Sequence, residues 1–203
     1  MKKSRLEAFS DGVIAILITI MVLELKVPHG ADLAALRPLV PVLLSYILSF
    51  IYIGIYWNNH HHMFQMVDST KGSVLWANLH LLFWLSLIPF LTGWMGENGF
   101  AALPVALYGV NLFGCGLAYF ILAKLLMNSQ GTDSPLRHAL GGESKEKISM
   151  LCYLIAIPLA FVNRWMSCVI YVGVALLWLV PDSRIERNLE TPRTALLRGK
   201  LDW

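Results

Sequence analysis

The chain has 203 residues, of which 57% are hydrophobic and only 14% are charged, with a mean hydropathy of +0.60. A soluble domain carries roughly 25% charged residues, so this composition excludes an ordinary water-soluble domain and indicates a surface that faces lipid. The net charge of +3 is small, and the basic residues form no stripe, so nucleic acid is not a predicted partner. Membrane lipid is a predicted partner.

The first predicted element is a helix at about 7–27. Lys2 and Lys3 precede its apolar run, as in a signal peptide. Glu7 and Asp11 interrupt its start, however, and no small-residue cleavage site follows. We therefore interpret this segment as a retained first transmembrane helix.

Five further apolar intervals contain no charged residue. Each can hold a membrane-spanning helix of roughly 17–25 residues, with Ile148–Asn163 at the short limit. They are Pro38–Val67, Gly72–Gly96, Gly99–Ala123, Ile148–Asn163 and Trp165–Pro181. The predicted helices in these intervals run at about 37–60, 73–95, 102–127, 147–163 and 165–181, and a tail follows at 182–203. The sequence therefore predicts an all-α membrane protein with six transmembrane helices, forming a single domain over residues 1–203.

Basic residues are distributed unevenly between the two sides of this predicted bundle. Six crossings place both termini on one side, together with the loop at 128–146, and 13 of the 16 Lys and Arg residues lie there. These are Lys2, Lys3, Arg5, Lys71, Lys124, Arg137, Lys145, Lys147, Arg184, Arg187, Arg193, Arg198 and Lys200. The others are Lys26, Arg37 and Arg164. Because basic loops stay inside, we predict a multi-pass protein of the cell (plasma) membrane with both termini in the cytoplasm.

Neither the cysteines nor the short motifs indicate an enzyme. Cys115, Cys152 and Cys168 lie within apolar segments in no metal-binding or disulfide pattern, so we interpret them as small core residues. The chain contains no H-E-x-x-H and no G-x-S-x-G motif. We therefore predict neither catalytic activity nor a cofactor.

Polar residues from three predicted helices lie at one depth near the cytoplasmic surface. They are Ser10 and Asp11 of helix 1, His60, His61 and His62 of helix 2, and Trp76, Asn78 and His80 of helix 3. Such a cluster is typical of a Zn²⁺ or Ni²⁺ site, a proton relay, or a structural hydrogen-bond network between helices. Three adjacent histidines cannot all face one point on a helix, which disfavours the metal site. The pattern favours a structural network that clamps the three helices.

Helix 1 has a polar side and a branched aliphatic side. At 100° per residue, Ile16, Ile20 and Leu23 lie on one face with Thr19 at its edge. Asp11 lies about 140° from Ile16 around the helix axis. Aliphatic stripes in membrane helices usually face lipid or a neighbouring helix, so periodicity alone does not predict a pore.

Three segments in the first half of the chain carry short motifs. Residues 5–11, R-L-E-A-F-S-D, match the R-x-x-x-F-S-D signature of the transmembrane protein 175 family of potassium channels, which the chain resembles. Residues 57–64, W-N-N-H-H-H-M-F, resemble its W-x-N-H-H-x-x-F segment, and residues 78–90 resemble its third helix. Six helices in one chain resemble its prokaryotic members, although helices 4–6 share only the apolar pattern. His62 departs from the family, where a varied and often basic residue is expected.

The resemblance implies a homotetramer in which helix 1 of each chain lines a central pore for K⁺. It assigns the pore constriction and selectivity to Ile16, Thr19, Ile20 and Leu23. It places Arg5, Phe9, Ser10 and Asp11 in a helix-clamping motif, with His60 or His61 and Asn78 as their partners. Trp76, at the same depth, completes the predicted motif. Glu24 is expected near the outer mouth.

The absence of a T-V-G-Y-G sequence argues against a filter of backbone carbonyls. We expect a leak-type potassium channel in which four Ile16 side chains form an apolar constriction that partly dehydrates the ion. K⁺ loses water more readily than Na⁺, and Thr19 hydroxyls would replace part of the lost water. The alternatives are a proton channel or proton-coupled carrier that uses Asp11 and His60–His62, and a membrane scaffold without transport.

Overall fold

The structure, a computed structural model of the chain, describes residues 3–67, 71–130 and 144–179. Its α-helices are α1 (Lys3–Met21), α2 (Val40–Gln65), α3 (Gly72–Ser86), α4 (Ile88–Glu97), α5 (Ala102–Ser129) and α6 (Ser144–Leu179). Two 3₁₀ segments, Val22–Glu24 and Leu33–Leu39, lie between α1 and α2. The predicted all-α class is confirmed. The predicted tail at 182–203 and most of the predicted loop at 128–146 lie outside the described residues.

Helix α1 begins and ends earlier than the predicted range of 7–27. Its α-helical bonding ends at Met21, and the 3₁₀ turn that follows closes with a hydrogen bond from the Leu25 amide to the Val22 carbonyl at 3.1 Å. Leu25 is extended, with φ −80° and ψ 94°. Pro28 has no N–H to donate and disfavours helical geometry in the residue before it, so the helix does not resume there.

Helix α2 extends beyond the predicted end at residue 60. Asp32 caps the preceding 3₁₀ segment by accepting a hydrogen bond from the Ala35 amide at 3.1 Å. Pro41 lies in the first turn of α2, where a missing N–H leaves no helical bond unmade. Because α2 runs to Gln65, the three histidines lie inside its last two turns rather than at its end.

The predicted helix at 73–95 consists of two helices, α3 and α4. The Leu87 amide donates to the carbonyl of Trp84 at 3.2 Å, a 3₁₀-type bond that ends α3. Pro89 cannot donate to the carbonyl of Leu85, so the α-helical ladder is interrupted at this point. It resumes when the Leu91 amide donates to the carbonyl of Leu87 at 3.1 Å.

Helix α6 reverses direction at Asn163, whose φ of −151° and ψ of 97° are not helical. Trp178 Nε1 donates to Ser149 Oγ at 2.9 Å. In a straight helix these two residues would lie about 43 Å apart, at 1.5 Å per residue. The arms 144–162 and 164–179 therefore fold back on each other as a helical hairpin.

Helix α1 lies at the edge of the bundle and α5 at its centre. α5 packs against α3, α4 and α6, whereas α1 packs against α2, α3 and α4. The buried residues of α1 are spaced three or four apart and so share one side of the helix. They are Leu6, Ser10, Ile14, Leu17 and Met21. The opposite side of α1 faces out of the bundle.

Five helical segments within the described residues are long and apolar enough to span a membrane. They are Lys3–Glu24, Leu33–Gln65, Gly72–Glu97, Ala102–Ser129 and Lys145–Leu179, and the last contains the reversal at Asn163. These segments support the predicted multi-pass membrane protein.

Candidate functional site

Buried hydrogen bonds join α1, α2 and α3 at one depth. Asn78 of α3 is central to them: its Nδ2 donates to Ser10 Oγ at 2.9 Å, and its Oδ1 lies 2.8 Å from His60 Nε2. Ser10 Oγ donates in turn to the carbonyl of Leu6 at 2.9 Å. Ser10, His60 and Asn78 are all fully or almost fully buried. A side chain from each of the three helices thus takes part in one continuous network.

This network assigns the tautomer of His60. Because the Asn78 amide nitrogen donates to Ser10, its oxygen must be the acceptor for His60, and Nε2 of His60 carries the proton. Nδ1 of His60 is buried and has no hydrogen-bond partner among the described residues. A proton on Nδ1 would therefore create a buried donor without an acceptor, which is unfavourable. The geometry fits a neutral His60 that acts as a hydrogen-bond donor.

A second bond attaches α1 to α2 beside this network. Trp57 Nε1 donates to Oδ1 of Asp11 at 3.0 Å. His61 stacks on the Trp57 ring, with centroids 5.8 Å apart and planes 16° apart. This contact is a second side-chain hydrogen bond between α1 and a neighbouring helix, beside the Asn78 network. We call Ser10, Asp11, Trp57, His60 and Asn78 the polar clamp.

Three other residues predicted for this cluster, Arg5, Phe9 and Trp76, lie apart from the polar clamp. Trp76 is 76% exposed on α3, and Arg5 and Phe9 are exposed on α1. Neither Trp76 nor Arg5 makes a side-chain hydrogen bond to another residue that the structure describes. His61 Nε2 pairs with the side-chain nitrogen of Gln65 at 2.8 Å, one turn further along α2.

The histidines do not converge on a common point. Nε2 of His60 is directed at Asn78, and Nε2 of His61 at Gln65. Within residues 3–67, 71–130 and 144–179, no group of three or more His, Cys, Asp or Glu side chains is placed to hold a metal ion. The arrangement of polar residues positions α1 against α2 and α3.

The four predicted pore-lining residues lie on the exposed side of α1 and its 3₁₀ extension. Ile16 is 57% and Leu23 is 77% exposed, and Thr19 and Ile20 are also exposed. Thr19 Oγ1 donates its proton to the carbonyl of Ile16 at 2.9 Å. The lone pairs of the Thr19 oxygen therefore remain available as acceptors on this side.

Small residues that the sequence analysis did not single out lie on the same side of α1. Ala8, Gly12 and Ala15 are exposed, and a Cβ added at Gly12 would meet no atom within 4 Å. Their spacing places them within about 60° of one another around the helix. Small residues let transmembrane helices approach closely, so this spacing was a readable signal of a helix-packing surface.

The far end of the α1 segment is tied to α4. The carboxylate of Glu24 packs against Gly93, where an added Cβ would lie 2.7 Å from Oε2. Lys26 pairs with Glu97 at the end of α4. The hydrogen bond and the charge of Glu97 raise the pKa of Lys26 above its usual value. The polar clamp and these contacts therefore hold α1 near both of its ends.

Comparison with known proteins places this arrangement in a family. Residues 5–89 match the family described as endosomal/lysosomal potassium channel TMEM175. A protein of Chryseobacterium sp. (strain P1-3) that is named a potassium channel is 54% identical over 190 residues, which cover 94% of this chain and 99% of that protein. The Gallus gallus protein named endosomal/lysosomal proton channel TMEM175 is 39% identical over 94 residues, which cover 40% of this chain and 18% of that protein.

A crystal structure described as a lysosomal potassium-selective channel TMEM175 homolog from Chamaesiphon minutus is similar in fold. It has a TM-score of 0.78 and 28% sequence identity, and the match covers 88% of this chain and 96% of that chain. The family resemblance predicted from the sequence is thereby confirmed, and the chain belongs to the TMEM175 family of ion channels.

Proposed function

We propose that this chain forms a leak-type potassium-selective channel in which four copies surround a central pore lined by α1. The observation that carries the proposal is the division of α1 into two sides. The polar clamp holds one side in the bundle, while Ile16, Thr19 and Leu23 face out of it. The potassium-channel names of the Chryseobacterium and Chamaesiphon relatives, which match nearly the whole chain, support the same function.

The position of α1 supports an assembly of several copies. Because α1 lies at the edge of the bundle, a pore that it lines requires α1 helices from more than one chain. The exposed small residues Ala8, Gly12 and Ala15 would let these helices pack closely. We take the number of copies, four, from the family resemblance.

Selectivity in this proposal comes from an apolar constriction. Four Ile16 side chains would narrow the pore and force a passing ion to lose part of its water, which favours K⁺ over Na⁺. Thr19 lies three residues, or about 4.5 Å, further along the helix axis. Its hydroxyl proton is held by the Ile16 carbonyl, so its oxygen would face the ion as an acceptor. Wetting and dewetting of the Ile16 ring would open and close the pore.

We also propose six crossings per chain, in the cell membrane, with both termini in the cytoplasm. The hairpin at Asn163 supports this count, since its arms 144–162 and 164–179 are about 28 and 24 Å long at 1.5 Å per residue. The hydrocarbon core of a bilayer is about 30 Å thick, so each arm is close to the length that one crossing needs. The excess of basic residues on the terminal side supports the orientation.

Proton conduction is a second candidate, favoured by the proton-channel name of the Gallus gallus relative. The residues available for a relay are Asp11 and His60–His62. Asp11 is bonded to Trp57 rather than to a histidine, and Nδ1 of His60 has no onward partner among the described residues. These contacts support a structural role for the cluster over a relay within one chain.

The proposal is tested by ion flux through purified protein in liposomes, with K⁺, Na⁺ and H⁺ compared. Ile16→Asn should keep water in the constriction, so cation flux should rise and the K⁺ to Na⁺ flux ratio should fall severalfold toward one. Ile155→Asn is a matched control, because Ile155 is 52% exposed against 57% for Ile16 but lies on α6, away from α1. An unchanged flux ratio in Ile16→Asn, or an equal fall in Ile155→Asn, would contradict the proposed pore wall.

A further inference from the structure

A pocket lies between α2, α5 and both arms of α6, on a different side of α2 from the polar clamp. It contains about 410 Å³ of empty space, which includes the part open to the surroundings. The enclosed part has room for about two waters or one small organic cation. Aromatic rings and one carboxylate dominate its wall, which includes Tyr52, Tyr56, Tyr119, Tyr153, Trp178 and Glu146.

The hydroxyl groups of two buried tyrosines in this wall make no hydrogen bond to another described residue. They belong to Tyr56 and Tyr119, which are only 9% and 4% exposed. The neighbouring tyrosines are satisfied, because Tyr52 donates to the carbonyl of Tyr171 at 2.6 Å and Tyr153 donates to Tyr52 at 3.3 Å. The polar group of a buried side chain is nearly always hydrogen-bonded, either to protein or to an ordered molecule such as water. An occupant of the pocket that bonds to these two groups would explain their position.

The wall of the pocket is suited to a positive charge. Glu146 supplies a carboxylate, and the rings of Tyr119 and Trp178 meet edge to face with centroids 6.2 Å apart. The faces of tyrosine and tryptophan rings attract cations. Asn59 donates through Nδ2 to the carbonyl of Ile55 at 2.8 Å, which leaves its Oδ1 as an acceptor. The carboxylate and the amide oxygen disfavour an anion and match the N–H donors of a primary ammonium group.

We propose that this pocket binds a primary ammonium group, from either a small free amine or the headgroup of an amine-bearing lipid. One N–H donates to the Glu146 carboxylate, and the others donate to Asn59 Oδ1 and to the hydroxyl of Tyr56 or Tyr119. Glu146 and Asn59 lie near the end of the bundle where α6 begins and α2 ends. That end lies at a membrane surface, where both sources of ammonium are available. The site is independent of the proposed pore.

Thermal unfolding of the purified protein in detergent, with ethanolamine added, tests the site. A ligand that binds only the folded protein raises Tm with its concentration, so ethanolamine should do so and ethanol, its analogue without the amine, should not. Glu146→Gln should weaken the apparent affinity about tenfold or more, because hydrogen bonds to a charged partner are the strong ones. Tyr119→Phe should weaken it severalfold. Tyr46→Phe is the control, since Tyr46 is a half-buried tyrosine of α2 outside the pocket.

Each variant is compared with its own Tm in the absence of amine, so a change in basal stability does not obscure the result. Equal shifts with ethanol, K⁺ or Na⁺, or an undiminished shift in Glu146→Gln, would overturn the proposal. So would the absence of any ethanolamine-dependent shift in the unaltered protein, which would mean that the pocket holds water alone. Nanodiscs distinguish the two sources. If the lipid headgroup is the occupant, phosphatidylethanolamine discs should abolish the shift that phosphatidylglycerol discs retain, whereas a site for free amine should respond equally in both.

Discussion

The polar clamp predicts an energetic coupling between Ser10 and Asn78 that a double-mutant cycle measures. Asn78→Leu keeps most of the side-chain volume but removes both amide hydrogen bonds, at 2.9 Å to Ser10 and 2.8 Å to His60. Ser10→Ala removes the acceptor for Asn78 and the bond to the Leu6 carbonyl. If the two side chains act together, the second substitution should lower the free energy of unfolding by less when the first is already present.

The contacts set the size of the effect. Asn78→Leu leaves the Nε2–H of His60 buried without an acceptor, a loss of about 1–3 kcal/mol, so we expect a destabilisation of about 2 kcal/mol. Ser10→Ala leaves the Asn78 amide without an acceptor, and we expect it to cost about 1 kcal/mol. Hydrogen-bonded pairs inside membrane proteins couple by about 0.6 kcal/mol on average and by about 1.7 kcal/mol at most. Since both side chains are fully buried, we expect a coupling of about 1 kcal/mol.

Reversible unfolding in mixed micelles, followed by tryptophan fluorescence, provides the free energies of unfolding. Ser45→Ala combined with Asn78→Leu is the control cycle. Ser45 is also a fully buried serine bonded to its own helix, at 2.8 Å to the carbonyl of Val42, but it lies at the other end of α2 from His60. The control pair should be additive within about 0.5 kcal/mol. Additivity of the Ser10 and Asn78 substitutions to the same precision would refute the network.

Two further predictions concern the second bond of the polar clamp and the orientation of the chain. Trp57→Phe removes the donor to Asp11 but keeps an aromatic ring beside His61. Because Trp57 is 43% exposed, we expect a loss of only about 1 kcal/mol in the free energy of unfolding in micelles, and no loss would contradict the bond. A cysteine introduced at Asn98 should react with a membrane-impermeant thiol reagent added outside cells, and one at Ser144 should not; the reverse pattern would contradict the proposed orientation.

The depth of the polar clamp was predictable from the sequence, but its hydrogen-bond partners were only partly so. Assigning each helix a direction placed Ser10, His60 and Asn78 at one level, and the structure joins these three side chains directly. Trp76 was grouped with them although it precedes Asn78 by two residues, or about 200° around α3. Trp57, which supplies the donor to Asp11, was noted only as part of a motif. Depth follows from counting residues, whereas a partner depends on the rotation of each helix.

The interruptions of the helices show the same contrast between local and tertiary causes. Pro89 is a local signal for the end of α3, because the lack of an N–H is a property of the residue itself. The predicted boundary between helices at 147–163 and 165–181 falls at Asn163, where α6 reverses. Asn163 Oδ1 accepts from the Trp165 amide at 3.1 Å, as a helix N-cap does. The length of α2 beyond His60 has no such local marker, since its last turns are held by packing.

The polar clamp restricts rotation of α1 and therefore of the proposed constriction. Ser10 and Ile16 project from the same rigid helix, about 120° apart around its axis. Turning α1 by about 40° to move Ile16 out of the pore would carry the Ser10 oxygen about 2 Å or more, since even Cα lies 2.3 Å from the helix axis. That displacement exceeds what a 2.9 Å hydrogen bond tolerates, and it would break the Asp11 bond as well. Rotation of α1 therefore requires the loss of both attachments, whereas wetting of an Ile16 ring requires neither. The clamp thus favours a pore whose state changes through its water rather than through movement of its wall.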